Sequence, residues 1–511
     1  MSSPQPSYAY LRALSNILNQ SLATYESHLS FHNADDLDLE NPQAKRPDDA
    51  SKSMAEARWA CLNALDVLRA ALQSPVDAMY QTHTSAHELA ALGVIVNFGV
   101  VECMYKTAKD SGNEMAGVPV EVLAKNAGMN TQKLERLLRL LAVRHWFRET
   151  SEGCFRPTRH GAALRKGESV AAYIAAQTPT IFASMHELPN TLTDPLSRDS
   201  DSEHQTAFAR GPGQGKSFWE YLSDHPNMKR DFGLSMQASG EIQLAASLRE
   251  FPWRERLQDK ILVDVGGGAG HFSVHFAKMD VPGLNIIVQD LPGTFELAQE
   301  HFCQTVPHFV AEGRAKFEQG DFFAPNSRSG ANVCYLLRSI LHDWSDEHCV
   351  KILSNLAGSM HPDSSIFVHD ALLRPCLPPN PTSQPSGPPS PVLDHQGESG
   401  FSHNDMLRRA SLLTPPRSDV GDEDGDAAAT CKSPDTEVSN ATKEAPWPIP
   451  RNFGPNASQV CGLDFLMLLE LNGRERTEAQ IRNIAERAGL QLVHTTSLTS
   501  GRGIFEIRLP F

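Results

Sequence analysis

The run VDVGGGAG places glycines at 266, 267, 268 and 270, after an apolar stretch and before HFSVHFAK. A strand that enters a Gly-rich turn and then a helix lets backbone approach a ligand at the carboxyl edge of a sheet. Gly266, Gly268 and Gly270 match GxGxG rather than GxGxxG, a spacing ambiguous between dinucleotide and S-adenosylmethionine sites. Asp290 ends the next apolar run, in IIVQDLPG, about 20 residues on, where an acid can accept hydrogen bonds from ribose hydroxyls. Its plain alternative is a turn aspartate before Leu-Pro-Gly. A third such end, QGDFFAP, offers Asp321 for an adenine amino group, with Phe322 and Phe323 for its face. His342 follows a fourth apolar run and precedes a helix opening at Ser345. An imidazole with an ordinary pKa of about 6.5 can take a proton from a hydroxyl near neutral pH, although a loop histidine need do no chemistry.

These residues need a sheet to converge. From 260 onward KILVDVG, LNIIVQD, AKFEQGD, NVCYLLRSIL and SSIFVHDAL alternate with helical patterns, which predicts a doubly wound, Rossmann-like α/β domain. QLVHTTSL and GIFEIRL follow a helix with a Thr477/Gln480 capping box and a stop at Gly489, and their short turn makes them antiparallel. The sheet is expected to have seven strands within a domain spanning 176–511, whose segment 176–250 is helical.

Upstream, residues 6–29 and 54–73 read as helices about an acidic, Pro-containing linker, giving an N-terminal region over 1–80. HELAALGVIVNFGVVECM, 87–104, reads as one apolar helix. Two helices then meet at Gly128; Thr131 is the expected cap of the second, whose apolar face carries Leu134, Leu137, Leu138 and Leu141, and HWFRETSEGCFRPT forms a wing closed at Gly153. That winged-helix-like region, 81–175, suits either DNA binding or dimerisation. Lys133, Arg136, Arg139 and Arg144 lie on the second helix, but a net charge of −15 opposes nucleic acid, and a charged outer face is ordinarily solvated. Residues 376–458 are rich in Pro, Ser and acid and read as a disordered insertion, inert or regulatory.

Hydrophobic residues at 40% and charged residues at 21% mark a globular chain. Nine cysteines without CxxC pairs favour a reducing compartment, and the N-terminus lacks a charged-then-apolar leader, so a cytoplasmic protein without nucleic-acid or membrane partners is expected.

Taken together, VDVGGGAGHF, QDLPG, GDFF, LRSILHDWSDEHC and NGRERT resemble, in that order, the plant caffeate-type and fungal secondary-metabolite O-methyltransferases, which are class I and cation-independent. The resemblance spans roughly residues 80–511 apart from the insertion, and implies that 176–511 is a methyltransferase domain whose helical segment 176–250 binds the acceptor. It implies S-adenosylmethionine as cofactor, held by Gly266, Gly267, Gly268, Asp290, Asp321, Phe322 and Arg338, the last where plant members often carry Lys. It also implies a homodimer, no metal, and a flat phenolic acceptor, often polyketide-derived in fungal relatives. His342 would be the base, flanked by Asp370 and Glu475; Asp370 stands where the family has Glu, so Glu475 is the stronger positioning group. Phe218, Trp219, Met236 and Met467 are candidate acceptor-pocket walls or simply core. The rival readings are a catalytically silent, partner-binding relative and an NAD-dependent oxidoreductase, which would want GxGxxG.

Overall fold

A computed structural model of the chain describes residues 7–29, 37–44, 51–113, 115–378, 447–450 and 452–510. Helices α1 (Ser7–Leu29) and α2 (Lys52–Leu72) pair through Leu14, Ile17, Ala64 and Val67. The apolar stretch expected as one helix over 87–104 is instead two, α3 (Pro75–Asn97) and α4 (Val100–Ser111). Gly99 breaks them by adopting φ +63°, a left-handed conformation that ends a helix cheaply only at glycine.

Helices α5 (Val120–Ala127) and α6 (Thr131–Val143) lie between the strands of a small sheet, β1 (Val118–Pro119) before them and β2 (Phe147–Ser151) and β3 (Cys154–Pro157) after, with spatial order β1-β3-β2. Leu134, Leu138 and Leu141 are buried, and Leu137 is partly so. The cap differs from expectation: Asn130, not Thr131, has extended backbone and accepts the Lys133 N–H at 3.1 Å, while Thr131 is already helical. Arg139 pairs with Glu135 and Glu149, and Arg144 with Glu88, so two of the four basic residues on this helix are spent within the protein.

The main sheet of the described residues has seven strands in the order β6-β5-β4-β7-β8-β10-β9. They are β4 (Ile261–Val265), β5 (Asn285–Asp290), β6 (Ala315–Gln319), β7 (Val333–Arg338), β8 (Ser365–Ala371), β9 (Gln491–Ser497) and β10 (Arg502–Arg508). Strands β4 to β8 pair in parallel, and β10 runs antiparallel to both β8 and β9. Alternate residues feed two cores: Leu262, Ile286, Val288, Leu336 and Phe367 on one face, Val263, Ile287, Tyr335, Leu337 and Val368 on the other. A sheet covered on both faces requires such near-continuous apolar strands, and it directs the carboxyl ends of β4, β5, β7 and β8 to one edge.

Residues 379–446 of the expected insertion lie outside the described residues. Its expected end at 458 is too late. Ile449 is 1% exposed in the α1–α2 core, and a helix spans Pro455–Glu470. Among the described residues no single helix is long and apolar enough to cross a membrane, although α3 and α4 together pass that test across a 56° bend.

Candidate active site

The glycine turn is tied to the end of β5. The N–H groups of Gly266 and Gly267 donate to the Gln289 carbonyl at 2.9 and 3.1 Å, and Gly268 N–H donates to Asp290 Oδ2 at 2.8 Å. Each glycine answers a different demand. A Cβ on Gly266 would meet Ile340 at 2.6 Å, on Gly267 Asp264 at 2.7 Å, and on Gly270 Phe302 at 2.8 Å. Gly268, at φ +58°, has nothing within 4 Å and faces open space. Phe322, whose ring would lie 3.5 Å from a Cβ on Gly266, stands edge-on to Phe323 and Trp344, and the exposed Asp321 holds that turn by accepting from Phe323 N–H at 2.8 Å. Burial raises the Asp290 carboxyl, while the N–H groups of Gly268 and Leu291 pull it back. Arg338 leaves the end of β7 with its guanidinium 5.0 Å over the Phe272 ring and 3.2 Å from Gln243 Oε1. Arg338 Nε is buried without a hydrogen-bond partner.

Next along this edge a single helical turn, Leu341–Asp343, carries His342. Its ring, in a residue only 7% exposed, lies between two carboxylates: Nδ1 is 2.8 Å from Glu475 Oε1, and Nε2 is 3.3 Å from Asp343 Oδ1. Asp370 is buried on β8 with Oδ1 unpartnered, and no hydrogen bond joins it to His342 among the described residues. Its aspartate side chain is one methylene shorter than the glutamate implied by resemblance, and Asp343 occupies the second flank of the ring.

The segment NGRERT wraps this turn residue by residue. Asn472 donates to the Ser200 and Ser202 carbonyls, and Gly473 is glycine because a Cβ there would run into the His342 carbonyl. Arg474 N–H donates to that carbonyl at 2.8 Å, and Glu475 N–H donates to Asp464 Oδ1 at 2.8 Å. The buried Arg476 guanidinium donates to the Leu341 and Trp344 carbonyls, both at 2.6 Å, gripping the turn on either side of His342. Thr477 then caps the last helix with Gln480, as the spacing predicts.

The O-methyltransferase domain profile matches residues 190–384, taking in the glycine turn, His342 and Asp370. Along most of its length the chain is similar to 4-O-methyltransferase 1 of Phanerochaete chrysosporium, at 27% identity over 97% of both chains. It is also similar to O-methyltransferase tpcA of Aspergillus fumigatus, at 25% identity over 90% of this chain and 88% of that one. Residues 190–384 are an O-methyltransferase domain. The fold of the crystallised OxaC in complex with SAH and oxaline covers 98% of this O-methyltransferase and 99% of that chain, with a TM-score of 0.63 at 19% identity.

In this O-methyltransferase the electrostatics depart from an ordinary histidine. Burial would lower the His342 pKa, but the Asp343 and Glu475 charges outweigh it and push it up to about 9. Conversely, burial would raise Glu475, and the His342 charge and hydrogen bond hold it down. The resting pair is imidazolium and carboxylate, rather than the neutral base expected from sequence. Burial pushes Asp343 up to about 7. Asp343, Arg476 and the buried Arg502, whose charge lowers Asp343, Asp370 and Glu475, were not singled out by sequence reasoning. HDWSDE and NGRERT contain the first two; nothing in the last strand distinguishes Arg502.

Proposed function

We propose that this O-methyltransferase moves the methyl group of S-adenosylmethionine to a hydroxyl of a small aromatic acceptor, a phenolic secondary metabolite of polyketide type, with His342 as general base. The observation that carries the reading is the 2.8 Å contact of His342 with Glu475 on the sheet edge that also holds the open glycine turn. Gly268 supplies open backbone, Asp290 a carboxylate and Phe322 an aromatic face, a donor set that fits a nucleoside; Gly266, Gly267, Asp321 and Arg338 complete the proposed cofactor site. SAH in the OxaC complex supports the same cofactor.

S-adenosylmethionine supplies, when bound, a methyl group already activated by the sulfonium. What remains for the protein is positioning and one proton. Glu475 fixes the His342 ring and takes the Nδ1 proton's hydrogen bond, so Nε2 is the atom that accepts from the acceptor hydroxyl. Asp343 holds the other side of the ring and stabilises the imidazolium that results. A base raised toward the pKa of a phenol, about 10 like that of tyrosine, makes the transfer nearly thermoneutral, at the expense of the neutral fraction near pH 7.

An exposed apolar stripe of Leu72, Val76, Met79 and Tyr80 supports a homodimer through the N-terminal helices. Free thiols at the described cysteines support a cytoplasmic location. Incubating the purified protein and labelled S-adenosylmethionine with metabolite extracts of its source, followed by mass analysis, tests the reaction. A labelled phenol ether is the expected product; label on nitrogen or carbon, or none despite SAH binding, would overturn the reading.

A further inference from the structure

Glu470 closes helix Pro455–Glu470 in a place that suits a carboxyl poorly. It is 2% exposed, and its Oε1 is buried without a hydrogen-bond partner. It also sits at the helix C-terminus, where the backbone dipole disfavours an acid. The nearby helix residues are apolar: Met467 packs with Phe208, Phe218 and Leu222, and Leu469 with Ile181 and Ala207. Two polar groups lie within electrostatic range of it. Asp343 is close enough for its charge to join burial in pushing the Glu470 carboxyl up to about 8, and the Tyr173 hydroxyl is raised by burial and then by Glu470. Glu470 is therefore a largely neutral acid near pH 7, and its Oε1 is a hydrogen-bonding atom that the fold leaves unused.

An apolar residue of similar volume would be buried at less expense, and violations of this kind collect where a ligand answers them. The ligand's side is set by the chain itself. Beyond Glu470 the segment turns back at once, so that Gly473 lies against the backbone of His342 and Asp343, and Asp343 Oδ1 is 3.3 Å from His342 Nε2. We infer that Glu470 is the specificity-determining group for the acceptor, hydrogen-bonding a second oxygen, hydroxyl or carbonyl, carried beside the hydroxyl that His342 deprotonates. The inference rests on the phenolic acceptor proposed above. Met467, one turn earlier on the same helix, then serves as an apolar wall of that pocket.

The test compares a naphthol with the corresponding vicinal naphthalenediol as acceptors for the full chain, its E470L and its E470Q variants, with SAH calorimetry and thermal unfolding alongside. The full chain is expected to favour the diol in kcat/KM by about tenfold or more, the loss expected for an unanswered buried hydrogen-bonding group. E470L should collapse that ratio toward one, mainly through the acceptor KM, while keeping SAH affinity and unfolding at higher temperature. E470Q should retain most of the preference, because an amide still donates and accepts. A wild-type ratio near one, an E470L ratio equal to the wild type's, or an E470L protein of lower melting temperature would overturn the inference and leave the methyl transfer standing. If the wild-type protein binds SAH but methylates neither compound, the phenolic acceptor itself falls, and this role of Glu470 with it.

Discussion

Nδ1 of His342 lies 2.8 Å from Oε1 of Glu475, although 133 positions separate the two residues in the chain. With Glu475 held as a carboxylate, Nδ1 keeps its proton, and Nε2 is the nitrogen that becomes free when the imidazolium deprotonates. In the proposed role as base, a histidine so oriented acts in one defined tautomer.

Removing that base should slow chemistry and spare cofactor binding. His342→Ala and His342→Gln are expected to lose about 10² or more in turnover while keeping near-normal S-adenosylmethionine affinity by calorimetry. Acceptors that ionise below neutral pH should suffer much less. Equal losses on both acceptor types would make His342 a positioning group.

The raised pKa of His342 gives the pH dependence a sign. The neutral imidazole is the active form, so kcat/KM for an acceptor with a protonated hydroxyl should climb with pH and level off at about 9. Glu475→Gln deletes one charge that raises this pKa, so its limb should move to lower pH while the plateau falls. The same shift links to stability: the folded value lies above the unfolded one near 6.5, so the imidazolium's contribution is complete below that pH and is lost as pH rises through about 9. A profile already flat from pH 6.5 would contradict this account.

Asp290 accepts from the loop through Gly268 N–H and is only partly exposed. Asp290→Ala should weaken S-adenosylmethionine binding by about 1.5 to 3 kcal/mol, the range for hydrogen bonds to a charged group. Unchanged affinity in calorimetry would remove Asp290 from the cofactor site.

Ile449 joins the far end of the undescribed stretch to the α1–α2 core. Ile449→Ala should cost about 2 to 4 kcal/mol in denaturant unfolding, as for large-to-small changes in a packed core. Replacing residues 379–446 with a Gly/Ser linker should leave turnover near normal, whereas cutting through 458 should not, because it also removes Ile449 and the first turn of helix Pro455–Glu470. Equal behaviour of the two deletions would refute the boundary.

The alternation of strands and helices, the glycine turn and the Thr477 cap were legible because they depend on local periodicity and turn chemistry, which neighbours in sequence determine. Gly99 was readable only in part: an apolar run looks continuous until one residue takes a positive φ. The helix after 454 was masked by Pro, Asn and Ser at its start, residues that serve equally as loop or helix entry. At the site, resemblance named His342 and Glu475, but the approach of Asp343 to Nε2 of its own neighbour depends on how two side chains fold back over one helical turn, and the field of Arg502 arises from the pairing of β10 with β8. No spacing along the chain encodes a charge contributed by a distant strand.

The catalytic turn and its straps also come from opposite sides of the undescribed stretch: His342 and Asp370 precede it, Glu475, Arg476 and Arg502 follow it. The two parts are held by ladder hydrogen bonds between β8 and β10, in register from Ala371 with Arg502 to Ile366 with Ile507, as well as by the grip of Arg476 on the Leu341 and Trp344 carbonyls. Covalent continuity between 379 and 446 is therefore dispensable to the geometry. A protein severed there should stay assembled and active, and two separately expressed fragments should complement one another, each contributing one half of the His342–Glu475 pair.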